Sequence, residues 1–487
     1  MKHLTYLLST WALAALLVFS SCSDFLEVEP TNRLAVKTYE DVRKLVAGHL
    51  LAYKQDNDRV ALSGVSRFML DDQEWLLAHL YSDDYDFGRY LNNYAARNFQ
   101  GFYLRSADWQ NVETVEQVWR KYYTNIGFFN MILTELDKHP STDQALNEQV
   151  SGEARVLRAW QFFRLMQYFS PYKENAYGLP LNTDPDAVAT YESKRYTQEE
   201  NYKFIIDELE AVLAYTSTPS DGYNIFFDKR IVHGLLAQVY HYKGGSGAGK
   251  SSDYEKAIEH ARALLSMGIS YESFVTLPDA SMGFDAFGIR KNKSYTPLSV
   301  LNNNTSIGPA IYGDSFYGTP QYASAELYSL FSDADKRKSA FLDSDRSIKK
   351  FNASFRYDYI QIEFFTGAEM QLIIAESLAR LNKEADALTE LNAFTATRYW
   401  WYQRPASETV LQSILNERRR EFCFEYCMRW MDLTRLQTGF SRTHVQDDQK
   451  ERTYTIADGD YRFCYPIPPK GERSQSNVPQ NPGWGDL

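Results

Sequence analysis

Apolar residues recur along most of this chain every three to four positions, the period of an α-helix with one buried face. In TYEDVRKLVAGHLLAY the stripe is Val42, Leu45, Val46 and His49, which predicts a helix opening at Thr38 or Tyr39. VETVEQVWRKYYTNIGFFNMILTELDK repeats Val118, Tyr122, Ile126, Phe129 and Leu133 at helical intervals. The same pattern predicts helices in SGEARVLRAWQFFRLMQYFS, TQEENYKFIIDELEAVLAY, DKRIVHGLLAQVYHYKG and SDYEKAIEHARALLSMG. It returns in DYIQIEFFTGAEMQLIIAESLARLN, KEADALTELNAFTATR and SETVLQSILNERRREFCFEYCMRWMDLTRLQ. Several of these segments pair as helix, short turn, helix, with small residues where backbones approach. Ala237 faces Ala257 and Ala261 in one pair, and Ala375 and Ala379 face Ala385 and Ala387 in another. That is the pattern of tetratricopeptide-like hairpins, although no strict repeat survives. The expected fold is mainly α: a tetratricopeptide-like helical-hairpin scaffold over about 38–268 and 355–437, with a long irregular, loop-rich insertion.

The helical pattern fails in three places. Residues 269–354 are rich in Gly, Pro, Asn and rings, as in NNNTSIGPAIYGDSFYGTPQYASAELY. Residues 81–110, YSDDYDFGRYLNNYAARNFQGFYLRSADWQ, read the same way, and 438–487 form an irregular tail. Long loops inside a compact domain are uncommon unless they serve a function, so the first two stretches are where ligand chemistry is expected.

One motif points elsewhere. In KGGSGAGKSS, Gly244, Gly249, Lys250 and Ser251 fit the phosphate-cradling pattern G-x-x-x-x-G-K-[ST]. A phosphate loop must follow a buried strand and open a helix. Here the preceding residues Ile231, Leu235 and Val239 are spaced for a helix, and no apolar strand ending in a magnesium-binding Asp accompanies them. The segment therefore reads as a flexible turn between two helices, with Ser252 or Asp253 as the N-cap of the second. Nucleotide binding is not expected.

The N-terminus MKHLTYLLSTWALAALLVFSSC has a basic start, an apolar run from Tyr6 to Phe19 and small residues before Cys22. Residues 1–21 read as a secretory signal of the lipoprotein type, with Cys22 as the acylated first residue of the mature chain; the alternative is an ordinary cleavage site. Acyl chains on one cysteine anchor a protein because each buried methylene contributes about 0.8 kcal/mol. The formal charge of −11 argues against a nucleic-acid partner. Rings make up 15% of the chain, 35 of them Tyr, so a core or a binding surface is rich in them. Beyond Cys22 the cysteines are Cys423, Cys427 and Cys464, too few for a disulfide framework. Cys423 and Cys427 are spaced to share one helical face as packing groups, and one bridge to Cys464 stays open. No zinc-ligand spacing occurs, and no cofactor is expected; structural calcium is not predicted.

The segment ERRREFCFEYCMRWMDLTRL puts Arg418, Glu421, Glu425, Arg429 and Asp432 on one stripe, with signs that alternate and can pair along a helix. Phe422, Tyr426, Trp430 and Leu433 form the packing stripe beside it. This reads as a salt-bridged scaffold helix, not a catalytic one, because each charge has a neutralising neighbour. The segment also resembles the E-R-R-x-E-x-x-x-E-x-x-R-W-x-D-L-x-R signature of the SusD/RagB family, matched by Glu417, Arg418, Arg419, Glu421, Glu425, Arg429, Trp430, Asp432, Leu433 and Arg435. CSDFLEVEP resembles the family's lipidated start. GEARVLRAWQFFRLMQYFSPY and AEMQLIIAESLARLNKEADALTELNAFTATR resemble its helical segments, and YPIPPKGERSQSNVPQNPGW its ending. The resemblance covers nearly all of residues 22–487, taken as one domain. It implies a tetratricopeptide-like surface lipoprotein of the Gram-negative outer membrane. Such proteins sit as a lid over a TonB-dependent transporter and bind oligosaccharides, in some cases peptides, without altering them.

Sugar rings have apolar C–H faces edged by hydroxyls, so a receptor needs flat rings for the faces and planar polar groups for the hydroxyls. The first irregular stretch offers Asp84, Arg89, Tyr90 and Trp109, and the second Tyr312 and Tyr317. YWWYQRP adds Trp400 and Trp401; three consecutive large rings cannot all face one core, so at least one meets solvent or a partner. Each ring has packing between loop and scaffold as its ordinary role. The first expectation is an oligosaccharide receptor, with a peptide receptor on the same scaffold as the alternative. A glycoside hydrolase is least favoured, since no carboxylate pair is singled out.

Overall fold

The computed structural model describes residues 36–50, 82–86, 112–184, 194–220, 223–276, 294–302, 322–350, 360–425, 427–445, 450–468 and 478–485. Six helices open the described chain: α1 (Tyr39–Leu50), α2 (Val112–Lys138), α3 (Gln144–Phe169), α4 (Gln198–Leu213), α5 (Lys229–Gly244) and α6 (Ser251–Ser266). Strand β1 (Leu298–Asn302) and the short helices α7 (Ala325–Leu330) and α8 (Lys336–Phe341) follow. Next come β2 (Ile360–Phe364), α9 (Gly367–Arg380), α10 (Glu384–Thr395), α11 (Val410–Phe422) and α12 (Met428–Leu436). Strands β3 (Phe440–Val445) and β4 (Glu451–Ile456) complete the order.

The helices start where their capping residues say they should. Thr197 and Glu200 form a reciprocal box on α4, each satisfying an otherwise unpaired amide of the other. Asp143, Asp228, Thr366 and Thr409 cap α3, α5, α9 and α11 with side-chain oxygens. Consecutive helices pack in pairs, α2 on α3, α3 on α4, α5 on α6 and α9 on α10, and α9 lies against α6 to continue the stack. This is the expected mainly helical, hairpin scaffold. Helix α3 is buried on nearly every face, so it is the spine of the core. Its Glu153 is fully buried and accepts from the backbone amides of Ile225, Phe226 and Phe227; burial still pushes its carboxyl up to about 7.

Small residues sit where the spacing placed them: Ala237, Ala257, Ala261, Ala375 and Ala387 are fully buried, whereas Ala385 is exposed. Gly234 is required for a further contact, since a Cβ there would lie 2.5 Å from the Cβ of Phe365. Phe364 and Phe365 bring their rings to 5.1 Å from Trp160 of α3, which fastens β2 to the spine.

Several expectations change. Residues 360–364 form a strand, antiparallel to β1 with Leu298 opposite Phe364, and the helix begins only at Gly367. The alternation Ile360, Ile362, Phe364 is a strand period, and Phe365 at φ 59° makes the corner. α7 and α8 lie inside a stretch that reads as irregular, and β3–β4 lies inside the tail. Residues 244–251 form the expected turn between two helices, and it is packed against its surroundings. Gly247 donates to the carbonyl of Tyr172 (2.8 Å), and a Cβ on Gly249 would stand 2.4 Å from the carbonyl oxygen of Gly244. Helix α6 starts at Ser251, earlier than expected, because Asp253 reaches back to the Lys250 amide (2.7 Å) while ion-pairing with buried Lys243 (2.6 Å). Lys250 itself pairs with Glu199 (2.6 Å).

The signature helix is two helices. α11 ends at Phe422, and Phe424 (φ 65°) and Cys427 (φ 56°) turn the chain through the left-handed region before α12. Cys423 and Cys427 therefore do not share a helical face. Cys423, Cys427 and Cys464 are buried thiols that form no disulfide among the described residues. The tail docks as extended chain: Tyr465 donates its amide to the carbonyl of Tyr168 (2.8 Å), and its ring stacks between Tyr168 and Trp430. Asn481, almost fully buried, donates to the carbonyls of Phe169 (3.0 Å) and Tyr465 (2.6 Å).

Candidate functional site

The charges of α11 and α12 pair with other segments more than with each other. Arg429 grips Asp83 with two nitrogens (2.6 and 2.7 Å), and Arg419 reaches Asp84 at 2.9 Å. Burial would raise Asp83, but Arg429 and Arg419 outweigh it and hold the carboxyl down to about 2; Asp84, deeper, is raised by burial. This clamp pins residues 82–86 to the scaffold, where backbone bonds Ser324 to Asp84 and Asp86 to Tyr322 close a small bridge. Asp84 is thus not a ligand group as expected: it is 1% exposed and paired inward with Arg419. Its sequence neighbourhood of acids and rings signalled polarity but not direction.

A second network starts at Arg337 of α8. Its guanidinium is fully buried and bonds Asp335 in a fork (2.9 and 2.7 Å), Glu421 (2.7 Å) and the Tyr399 hydroxyl (3.0 Å), with Glu417 at 2.7 Å. Arg398 forks onto the same Glu421 (3.1 and 2.7 Å), and Tyr399 donates to Glu417 (2.9 Å). Arg420 closes the set on Glu417 (2.6 Å). Burial alone would push Glu421 up, yet Arg398 and Arg337 hold it down to about 2. Lys350 caps the end of α11 through the carbonyls of Glu421 (2.7 Å) and Cys423 (3.2 Å).

This network fixes the ring-bearing segment after α10. Backbone bonds from Lys336 to the Arg398 carbonyl and from Trp400 to the Ala334 carbonyl, both 3.0 Å, stitch residues 398–400 to 334–336. Past this stitch the chain leaves the core: Arg398 and Tyr399 are buried, Tyr399 at 6% exposure, whereas Trp400 lies outside, 55% exposed. Lys336 lies 4.6 Å from the centroid of the Trp400 ring. Trp401, 70% exposed, stands at the mouth of a cleft of about 320 Å³ lined by Leu330, Ser332, Asp333, Ala334, Tyr399, Tyr402, Gln403, Pro405, Glu408 and Arg420. Tyr402 packs on Tyr399 at 5.0 Å between ring centroids, and Arg404 bonds the Glu408 carbonyl to close the loop.

The cleft's carboxylates are engaged. Asp333 pairs with Lys338 (2.7 Å), which holds it below the ordinary range, and Glu408 accepts from Ser413 (2.8 Å) and Asn416 (2.9 Å). The arrangement provides an aromatic wall and hydrogen-bonding groups rather than a perturbed acid–base pair. Among the described residues no group of three or more His, Cys, Asp or Glu could hold a metal ion, and no helix is long and apolar enough to cross a membrane.

Of the sequence candidates, the structure brings Trp400 and Trp401 together at this rim. Arg89, Tyr90, Trp109, Tyr312 and Tyr317 lie outside the described residues, as does Cys22. Sequence reasoning missed Asp333, Gln403 and Glu408 as neighbours of the tryptophans. The last two follow YWW closely enough to be found; Asp333 arrives from a segment with no visible link to it.

Comparison with known proteins agrees with this architecture. Residues 24–241 match a SusD-like family profile described as "Starch-binding associating with outer membrane". Residues 317–484 match the SusD/RagB profile, described as SusD family. A comparison with curated proteins finds no match. Among solved structures, a SusD-like carbohydrate binding protein from Bacteroides vulgatus ATCC 8482 is similar with a TM-score of 0.64 at 19% identity, over 91% of this chain and 97% of its own. A SusD superfamily protein from Bacteroides thetaiotaomicron VPI-5482 gives 0.67 at 19% identity, over 92% and 100%. Surface glycan-binding protein A from Bacteroides fluxus gives 0.60 at 17%, over 92% and 99%. At such identities these structures speak for the fold, and together with the two profiles they place the chain: it belongs to the SusD/RagB family.

Proposed function

We propose that this protein is a non-enzymatic nutrient receptor of the outer-membrane surface that binds oligosaccharides and hands them to a TonB-dependent transporter. The observation that carries the reading is the pair of indoles, Trp400 and Trp401, the most exposed rings among the described residues, beside a cleft with polar groups in its lining. Family membership supports it, since the family profile is described by starch binding and association with the outer membrane, and a structural relative carries the name surface glycan-binding protein. The signal-like start and Cys22 support a lipid anchor on the cell surface. The ring and polar candidates Arg89, Tyr90, Trp109, Tyr312 and Tyr317 belong to the same proposal as further ligand contacts. An acyclic peptide ligand is the competing reading.

The test uses residues 23–487. Isothermal titration against neutral and acidic oligosaccharides and against short peptides identifies the ligand class, and chromatography of the same mixtures after overnight incubation checks for cleavage. Binding of an oligosaccharide that is recovered intact is expected. Recovery of shortened products refutes the non-enzymatic part, and binding of peptides alone refutes the ligand class. Metabolic labelling with a tagged fatty acid, lost in Cys22→Ser, tests the anchor.

A further inference from the structure

We propose that the cleft beside Trp401 is a subsite for one neutral sugar unit of a glycan and discriminates against acidic sugars; this rests on the reading of the chain as an oligosaccharide receptor and specifies the chemistry of one of its sites. The first argument is that Trp401 is exposed by construction. Its neighbour Trp400 is bonded through its amide to Ala334, Tyr399 beneath is tied to Glu417 and Arg337, and Arg404 closes the loop on Glu408. A ring held this firmly in water forgoes the stabilisation that burial gives an aromatic side chain. The fold leaves it there, whereas the adjacent Tyr399 is buried.

The second argument is the shape and chemistry of what lies next to it. A volume of about 320 Å³ is at the small end of ligand sites. It suits one ring, with the indole as a flat wall against a C–H face.

The third argument concerns charge. Arg420 is the cation in the cleft lining, and its guanidinium is taken up by Glu417 (2.6 Å) and the Leu330 carbonyl (3.1 Å). Asp333 and Glu408 bring two carboxylates to the same lining. A uronate or sulfate placed there meets the Glu408 carboxylate, while the cation among the described lining residues, Arg420, is already engaged and Lys338 is taken up by Asp333. Carboxylates accept from hydroxyls, and the exposed Gln403 amide both donates and accepts, which is the complement of a neutral sugar edge. A cationic side chain is the weaker match, because Asp333 is already paired with Lys338 and Glu408 already accepts from Ser413 and Asn416.

The experiment titrates residues 23–487, followed by calorimetry and tryptophan fluorescence, with malto-, cello-, xylo- and mannohexaose as neutral probes. Hexagalacturonate and a chondroitin sulfate hexasaccharide are the acidic probes, and hexalysine the cationic one. At least one neutral probe is expected to bind. Trp401→Ala should weaken it roughly tenfold, in line with loss of a stacking wall, and Gln403→Ala should weaken it severalfold. Both residues are exposed, so thermal melts should match the parent and exclude misfolding. A neutral probe bound equally by parent and Trp401→Ala overturns the subsite and leaves the receptor reading standing. Tighter binding of the acidic probes, lost in Trp401→Ala, overturns the neutral class alone. Binding of hexalysine only, or of none of the oligosaccharides, overturns both.

Discussion

Replacing Arg337 by Met should cost about 3–5 kcal/mol of stability, the range found when one partner of a buried ion pair is removed. Met keeps most of the volume, so packing contributes little to the loss. The electrostatic change is large because the side chain is fully buried and four groups bond it: Asp335, Glu417, Glu421 and Tyr399. Two of the three carboxylates keep another arginine, Glu417 with Arg420 and Glu421 with Arg398. Asp335 keeps the backbone amide of residue 337 (2.9 Å) but no cation nearer than Arg420 at 4.0 Å, so its charge becomes the orphan. An orphaned buried carboxylate takes up a proton, hence the deficit should shrink as pH falls from 7 toward 5. Urea unfolding followed by far-ultraviolet circular dichroism at both pH values measures it. Arg337→Lys should recover only part, because an ammonium cannot fork onto two carboxylates while reaching a third. A loss below about 1 kcal/mol at pH 7, the scale of an exposed pair, or a deficit that grows on acidification, would falsify the account of α8 as an electrostatic keystone.

Acid should destabilise the protein through buried imidazoles as well. Burial pushes His241 down to about 4, and burial with His233 alongside pushes His260 down to about 4. Unfolded histidines bind protons below their ordinary pKa near 6.5, so the stability these two confer is complete above 6.5 and is lost as pH falls toward 4; His260→Gln should flatten the slope of urea midpoint against pH in that window. Arg429→Gln removes both bonds to Asp83 and should speed hydrogen exchange at the amides of Asp86 and Ser324, with exchange in α3 unchanged; equal rates in parent and variant speak against the clamp. Asn481→Ala deprives two buried carbonyls of their nearest donor and should cost about 1–3 kcal/mol in the same urea assay; a neutral result means the tail is held by its rings and its other hydrogen bonds, such as that from Tyr465 to Tyr168.

The helical hairpins were legible in the sequence because their signal is local and redundant. Val118, Tyr122, Ile126 and Phe129 repeat one instruction four times, and all four are buried. The alanines opposing one another across α5 and α6 carry the same kind of message. Where the signal was brief, it misled. IQIEFF is six residues whose apolar content fits either period, and only the pairing with β1, distant in sequence, makes it a strand. The break between α11 and α12 was hidden because Cys423 to Cys427 contains no Gly or Pro; tertiary contacts, Tyr85 on Phe424 and the Tyr168 hydroxyl on the Cys427 sulfur, hold the left-handed residues. The site was legible in part: YWW announced exposure, and the two tryptophans are exposed. Asp84 misled because burial beside an arginine leaves no trace in a sequence of acids and rings.

The charged residues of the signature are more than a scaffold laced within itself. Arg419 and Arg429 hold the short stretch 82–86, Glu417 and Glu421 hold Arg337, Arg398 and Tyr399, and Trp430 stacks on the tail through Tyr465. Each contact fixes a segment that adjoins a loop or carries an exposed ring. A buried charge pair is poor at adding stability compared with apolar packing, but it is strict about geometry, since a misplaced partner leaves a charge unpaired. Such strictness suits a receptor whose ligand-facing chain must leave the scaffold at defined points. On the proposed reading the signature charges set where loops begin and the exposed rings what those loops grip, so the two sets can vary independently. Tyr399→Phe separates the two. It removes the hydroxyl that joins Arg337 and Glu417 while leaving Trp400 and Trp401 in the sequence. Glycan affinity that falls with Tyr399→Phe by as much as with Trp401→Ala means the platform works only when held rigid. Affinity untouched by Tyr399→Phe means the backbone bond from Trp400 to Ala334 suffices.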